Sequence, residues 1–252
     1  MAVRAVLFDL GNTLWHIPEL PPPERIRGET MRRIFGLLRS WGVEPEGDLR
    51  FLGRDIRLAI GAADKAAYES HCISPDYLEI VRQVGTDKGL DLTPERAQAL
   101  WHAWNLEGPF FGRQLYAGAI ETLETLRGRG YALGLVTNRV FSGPGYQQEL
   151  DGHGLTALFD AMAVSCEMGY MKPHPKIFEH ALDALGVAPG EAVMVGDSLR
   201  ADVGGARALG MITVWRRLSD IDEELGGEEP HFVVDELQEI PQLPCFSSNG
   251  SG

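Results

Sequence analysis

The chain has 252 residues, 44% hydrophobic and 23% charged, which is enough apolar material for one large domain or a core with a smaller companion. A formal net charge of −13, with no long run of lysine or arginine, argues against a general role on nucleic acid or an anionic membrane. No apolar stretch approaches the ~20 residues of a membrane-spanning helix, and three scattered cysteines, Cys72, Cys166 and Cys245, suggest neither a disulfide framework nor a metal-ligand spacing. A soluble, cytoplasmic protein is the default expectation, because an arginine and an aspartate inside the first apolar stretch argue against a signal peptide. An anionic substrate would need a local positive centre, either a metal or a placed lysine.

In chain order, Val6–Phe8 reads as a buried strand with Asp9 at its end and an immediate turn through Gly11, Asn12 and Thr13. Pro18 and Pro21–Pro23 then form a stiff exit that continues neither a helix nor a central strand. From Glu24 to about Asn105 the pattern is helical. Ile26, Met31, Ile34 and Leu38 mark one apolar face, and Leu49, Leu52, Ile56 and Ile60 a second. Tyr77, Leu78, Val81 and Val84 mark a third, opened by Ser74-Pro75, and Thr93-Pro94-Glu95 opens a fourth through Leu100, Trp101 and Trp104. No convincing strand interrupts them, so these residues form an all-helical insert.

After Gly118 strands and helices alternate. A helix carrying Ile120, Leu123 and Leu126 precedes the strand Ala132–Val136, which ends at Thr137 and Asn138. A helix around Tyr146–Leu150, the strand Ala161–Ser165 and a helix after Lys172-Pro173 come next. The strand AVMVG follows, with Asp197 just past it. A helix from about Ala201 to Leu209, the strand Met211–Trp215 and an edge strand at His231–Val234 complete the pattern. Apolar strands without period-2 alternation, alternating with helices, imply an α/β fold: a Rossmann-like parallel sheet covered by helices on both faces, with an inserted all-helical cap domain. The expected division is a discontinuous core of 1–17 plus 115–240, a helical cap of 18–114 that overhangs Asp9, and a tail of 241–252.

Four strand ends or loops carry polar residues suited to phosphoryl chemistry: Asp9, Thr137-Asn138, Lys172, and Asp197 with Asp202. A parallel sheet gathers such ends on one rim. A carboxylate can attack phosphorus and split one difficult displacement into two easier ones. It needs the charge of a dianionic phosphate offset, as Mg²⁺ held by carboxylates would do. Asp9, Asp197 and Asp202 form a candidate ligand set. Lys172 offers a fixed cation, and Thr137 with nearby N–H groups can hydrogen-bond phosphate oxygens.

These stretches, DLGNT at 9–13, LVTN at 135–138, Lys172-Pro173 and GDSLRAD at 196–202, resemble the four ordered motifs of the haloacid dehalogenase (HAD) superfamily, and the helical insert matches that family's type-1 cap position. The resemblance spans nearly the whole chain. It implies a hydrolase with Asp9 as nucleophile, Mg²⁺ as cofactor and a small phosphorylated molecule as substrate. Thr137 and Asn138 would bind phosphate, and Lys172 would be catalytic. Asp9, the backbone carbonyl of Gly11 and Asp197 would hold the metal, with Asp202 as a further ligand or as support behind them.

One position departs from the pattern. Phosphatases of this family carry a second aspartate two residues after the nucleophile as general acid and base, and here Gly11 occupies that place. Such a group is commonly worth about 10²–10⁴ in rate. Three readings follow: a phosphatase that draws its leaving-group proton from elsewhere, with His16 one source; a 2-haloacid dehalogenase, whose halide leaves unprotonated; or a weakly active or non-catalytic phosphate-ligand binding protein. Asp197 favours a metal and therefore the first. Trp101 and Trp104 read as packing within the insert, and Glu223, Glu224, Glu228 and Glu229 as an acidic surface run.

Overall fold

The computed structural model describes residues 2–106, 108–218 and 229–246. The chain divides into two compact units, Met1–Ile17 with Arg113–Gly252, and Pro18–Gly112. The strands are β1 (Ala5–Phe8), β2 (Trp15–His16), β3 (Gln114–Leu115), β4 (Ala132–Thr137), β5 (Ala161–Val164), β6 (Ala192–Gly196), β7 (Ile212–Arg216) and β8 (Phe232–Val234). Six of them form a sheet in the order β5-β4-β1-β6-β7-β8, every pair parallel. β2 and β3 pair antiparallel as a two-stranded ribbon that the sequence pattern does not signal, because two residues are too few to show a period.

The helices are α1 (Pro23–Ser40), α2 (Leu52–Glu69), α3 (Tyr77–Asp87) and α4 (Pro94–Trp104) in the helical unit. Those of the sheet unit are α5 (Ala119–Gly128), α6 (Pro144–Gly152), α7 (Ser165–Met168), α8 (Pro175–Leu185) and α9 (Gly205–Ala208). The central strands bury both faces. Val6, Phe8, Leu133, Leu135, Val193 and Val195 pack with Leu123 and Leu126 of α5 and Leu150 of α6. Ala5, Leu7, Val136 and Met194 pack on the opposite side with Ile177, Phe178, Ala181 and Leu182 of α8. Apolar residues at consecutive positions are therefore required, as in any parallel sheet covered twice.

In the helical unit Ile34, Leu38, Leu52, Ile56, Val81 and Leu100 are buried as the apolar faces read from the sequence require, whereas Met31, expected on the first face, is 40% exposed. Tyr77, Trp101 and Trp104 stack in a row, with centroids 6.4 and 5.4 Å apart, and the Trp104 indole donates to the Gly53 carbonyl at 3.0 Å. The tryptophans are packing residues. Thr93 caps α4 as expected, but Asp76 rather than Ser74 caps α3, accepting from the Glu79 N–H at 2.9 Å. Asp76 stands directly before the first helical residue, where its short carboxylate reaches that amide; Ser74 is too far back.

Two further expectations change. The stretch expected as a helix over Ala201–Leu209 begins earlier and wider, as a π-helical turn over Leu199–Gly204, before α9. The segment expected as the start of a tail, 241–246, is docked. Phe246 is buried, meets the Tyr131 ring edge-on at 5.2 Å and accepts the Tyr131 hydroxyl at 3.1 Å through its carbonyl. Residues 247–252 of that tail, and Glu223, Glu224 and Glu228 of the acidic run, lie outside the described residues. Among the described residues no helix is long and apolar enough to cross a membrane.

Candidate active site

The three central strands β4, β1 and β6 run parallel and in register, Phe8 level with Leu135 on one side and Val195 on the other. Their carboxyl ends therefore come out on a single rim. Asp9 follows β1 at its centre, with its N–H donated to the Val195 carbonyl at 2.9 Å. Thr137 closes β4 on one flank and is buried, and Asp197 follows β6 on the other. Residues 188 positions apart in sequence thus meet because the sheet is parallel.

Lys172 reaches the same rim from the loop before α8, and its ammonium is only 2% exposed. It donates to Asp9 Oδ1 at 2.5 Å and to Asp202 Oδ1 at 2.6 Å. Burial alone would lower the lysine pKa, but the two carboxylates outweigh it and hold the ammonium firmly charged. Asn138 locks this lysine in place: its Nδ2 donates to the Lys172 carbonyl at 2.9 Å, and its Oδ1 accepts the Lys172 N–H at 2.7 Å. The side-chain amide of Asn138, a residue expected to bind phosphate, is thus spent on both backbone groups of Lys172.

Asp202 sits in the π-helical turn, fully buried. Its second oxygen accepts the Ser198 N–H at 3.0 Å, so both oxygens are engaged. Gly196 makes room for it, because a Cβ there would stand 2.2 Å from the Asp202 carboxylate. Asp197 is held from two directions. Its Oδ1 accepts the Thr13 hydroxyl at 3.3 Å, and its carbonyl accepts the Trp215 indole N–H at 2.8 Å. Thr13 and Gly196 lie inside the motif stretches, but their roles depend on contacts that residue spacing does not show. Trp215, one strand away, has no sequence signal.

One oxygen from each of Asp9, Asp197 and Asp202 lies within 4.8 Å of the others. One ammonium faces three carboxylates, so the cluster is short of positive charge. Burial first, then the neighbouring Asp9 and Asp202, push Asp197 up to about 7. Burial likewise lifts Asp202 to about 6, although Lys172 opposes the rise. An all-oxygen set of this kind suits a hard divalent cation such as Mg²⁺. Asp9 and Asp197 fit as direct ligands better than Asp202, whose oxygens are already hydrogen-bonded.

Gly11 is exposed, and a Cβ placed on it would meet nothing within 4 Å. Glycine is therefore not demanded there by space, nor by a left-handed backbone; the left-handed residue of the turn is Asn12, at φ 56°. The Asn12 carbonyl accepts a hydrogen bond from the buried Arg216. His16, the alternative proton source, stacks on Tyr116 with centroids 4.2 Å apart.

The motifs, their order and their convergence agree with comparisons to known proteins. A family model described as haloacid dehalogenase-like hydrolase matches residues 3–210. Glyceraldehyde 3-phosphate phosphatase of Methanopyrus kandleri is 31% identical over 244 residues, covering 94% of this chain and 95% of its own. Human N-acylneuraminate-9-phosphatase is 35% identical over 249 residues, covering 96% and 93%. A crystal structure of a HAD phosphatase from Thermococcus onnurineus superposes with a TM-score of 0.57 at 30% identity, covering 95% of this chain and 97% of that one. A 2-haloacid dehalogenase of Pseudomonas syringae superposes with a TM-score of 0.59 at 20% identity over 95% and 97%, a likeness of fold alone. The chain belongs to the haloacid dehalogenase-like hydrolases.

Proposed function

We propose that this hydrolase is a Mg²⁺-dependent phosphatase of a small phosphate monoester, working through an aspartyl-phosphate on Asp9. The observation that carries the reading is the buried Lys172 ammonium bridging Asp9 and Asp202 beside Asp197. The relatives matched over nearly their whole length carry phosphatase names, which supports the same choice.

Asp9, Asp197 and the carbonyl of Gly11 would hold the metal, with Asp202 supporting them. When bound, Mg²⁺ supplies the positive charge that lets a carboxylate approach a phosphate dianion. Asp9 attacks phosphorus and the ester oxygen departs with the P–O electron pair. Water then attacks the same phosphorus, the bond to Asp9 breaks, and inorganic phosphate and the free carboxylate are formed. Lys172 holds the Asp9 carboxylate in a buried ion pair and lies against the transferring oxygens, while the Thr137 hydroxyl donates to one of them. Asn138 acts through Lys172 and fixes the backbone that carries the ammonium.

No side chain at position 11 protonates the leaving group, so esters of acidic alcohols or phenols are the preferred test substrates. The deciding experiment measures phosphate release from p-nitrophenyl phosphate and a panel of metabolite esters, with and without Mg²⁺. Mg²⁺-dependent release that disappears in Asp9→Asn is expected. Gly11 also favours a second reading, the 2-haloacid dehalogenase. Metal-independent halide release from 2-chloropropionate, with no phosphate release, would replace the first reading by that one. A folded protein that turns over neither substrate would point to a binding role.

A further inference from the structure

The rim of the sheet carries a second polar constellation that the chemistry above leaves unused. Arg139 follows Thr137 and Asn138 directly, so it leaves β4 at the edge where Asp9 stands. Ser165 pins its backbone from both directions, accepting the Arg139 N–H at 2.8 Å and donating to its carbonyl at 3.0 Å. The half-buried guanidinium lies 4.1 Å from the centroid of the Tyr146 ring and 5.8 Å from that of Trp15, and its Nε donates to the Phe141 carbonyl at 3.0 Å. Among the described residues it forms no ion pair. Glu149, the carboxylate whose charge it feels, is taken by Arg113 at 2.9 and 3.1 Å.

Tyr146 supplies an independent observation. It is 5% exposed, and its hydroxyl is buried with no hydrogen-bond partner among the described residues. A buried O–H left unmatched is uncommon, because it loses water and gains nothing in return. Burial drives its pKa upward, so it keeps its proton and stays a donor. Arg139 opposes that rise, and Asp9 and Glu167 add to it. Packing alone would account for a guanidinium over two aromatic rings; it would not leave the phenol without an acceptor.

We propose that Arg139 and Tyr146 form a subsite for a second anionic group of the substrate, so that the preferred ester carries a carboxylate or a further phosphate a short carbon chain from the scissile bond. The planar guanidinium fork matches either anion, and the phenol adds a neutral donor beside it. This inference rests on the phosphatase reading and deepens it.

The test compares kcat/KM for three esters of similar size: 3-phosphoglycerate, the bisphosphate of propane-1,3-diol, and glycerol 3-phosphate, which lacks a second anion. The enzyme is expected to favour one of the first two by at least about tenfold over the third, and Arg139→Met to erase that preference mainly through KM. Arg139→Lys should restore part of the preference, and Tyr146→Phe should reduce it about threefold. Taking the ratio within one preparation cancels any loss of folded protein. No preference in the parent enzyme, or a preference that survives Arg139→Met, overturns the subsite while p-nitrophenyl phosphate turnover keeps the phosphatase reading. If no ester is hydrolysed, that reading fails. Calorimetry with 3-phosphoglycerate then decides the subsite, and equal affinity for the parent and Arg139→Met proteins overturns it.

Discussion

Both units of this chain carry ion pairs in water, as Arg217 with Asp235 does in the sheet unit, but they differ in how deeply they bury charge. In the helical unit, lysines and arginines pair with acids along exposed helix faces: Arg32 with Glu29 at 2.6 Å and Lys65 with Glu69 at 3.8 Å, the latter with both side chains mostly in water. In the sheet unit, Lys172, Asp9 and Asp202 pair within hydrogen-bond distance while almost wholly withdrawn from solvent. Water screens the first kind to near insignificance. Removing solvent makes the second kind strong, costly to leave incomplete and capable of displacing proton affinities. The same residue types thus form a solvated coat on both units and, in the sheet unit, a buried cluster as well.

The largest expected effect comes from breaking the buried set. Lys172→Met leaves three carboxylates facing one another without an internal cation. We expect activity to fall at least about 10³-fold and the metal-free protein to lose roughly 3–5 kcal/mol of stability, read by steady-state kinetics and urea unfolding. A loss of activity with unchanged stability would mean that the cluster's charge is balanced elsewhere.

Next in size is a charge added to the same unit at its open position. Gly11→Asp has the space and the backbone it needs. It should raise turnover of alkyl phosphates by up to about 10²-fold while changing p-nitrophenyl phosphate much less, because only the alkoxide needs a proton. An equal change on both esters would show that leaving-group protonation is not the deficit.

A smaller effect is the pH dependence of stability without metal. Asp197 and Asp202 have folded pKa values of about 7 and about 6, above those of the unfolded chain. The native state therefore binds more protons than the unfolded state. Their contribution is fully present below the unfolded carboxylate pKa and is lost as pH rises through about 6 and then about 7. His174, whose pKa is lowered by burial, works in the other direction. Comparison with Asp197→Asn isolates the acid: in chelator, the Tm of the parent should fall relative to the variant between about pH 5 and 8. Parallel profiles would contradict the shift. At the bottom of the scale, Lys65→Ala in the helical unit should leave Tm within about 2 °C; a larger drop would erase the contrast between the units.

Much of the site could be read before the fold. Asp9, Thr137 and Asp197 stand where apolar runs stop and Lys172 just before a helix, and their order along the chain carried the resemblance. What escaped notice acts through contacts rather than periodicity. Asn138 shares a motif with Thr137, yet its amide is spent on the Lys172 backbone. Trp215 lies at the end of β7 and reaches Asp197 only because β7 neighbours β6. Residues 241–246 are proline-broken and show no period in isolation, and their docking depends on Tyr131 and the end of α5, far away in sequence.

The sequence by itself determined the parallel sheet, the helical insert and the roster of reactive side chains. Unbroken apolar strands can only be buried on both faces, and a parallel sheet delivers their polar ends to one rim. Tertiary structure alone decided which of those side chains touch. It placed the ammonium of Lys172 between two acids, spent Asn138 on holding it, and left the Tyr146 hydroxyl without an acceptor among the described residues. Those outcomes turn on distances of a few tenths of an ångström and on the removal of water, and neither is encoded in the spacing of residues along a chain.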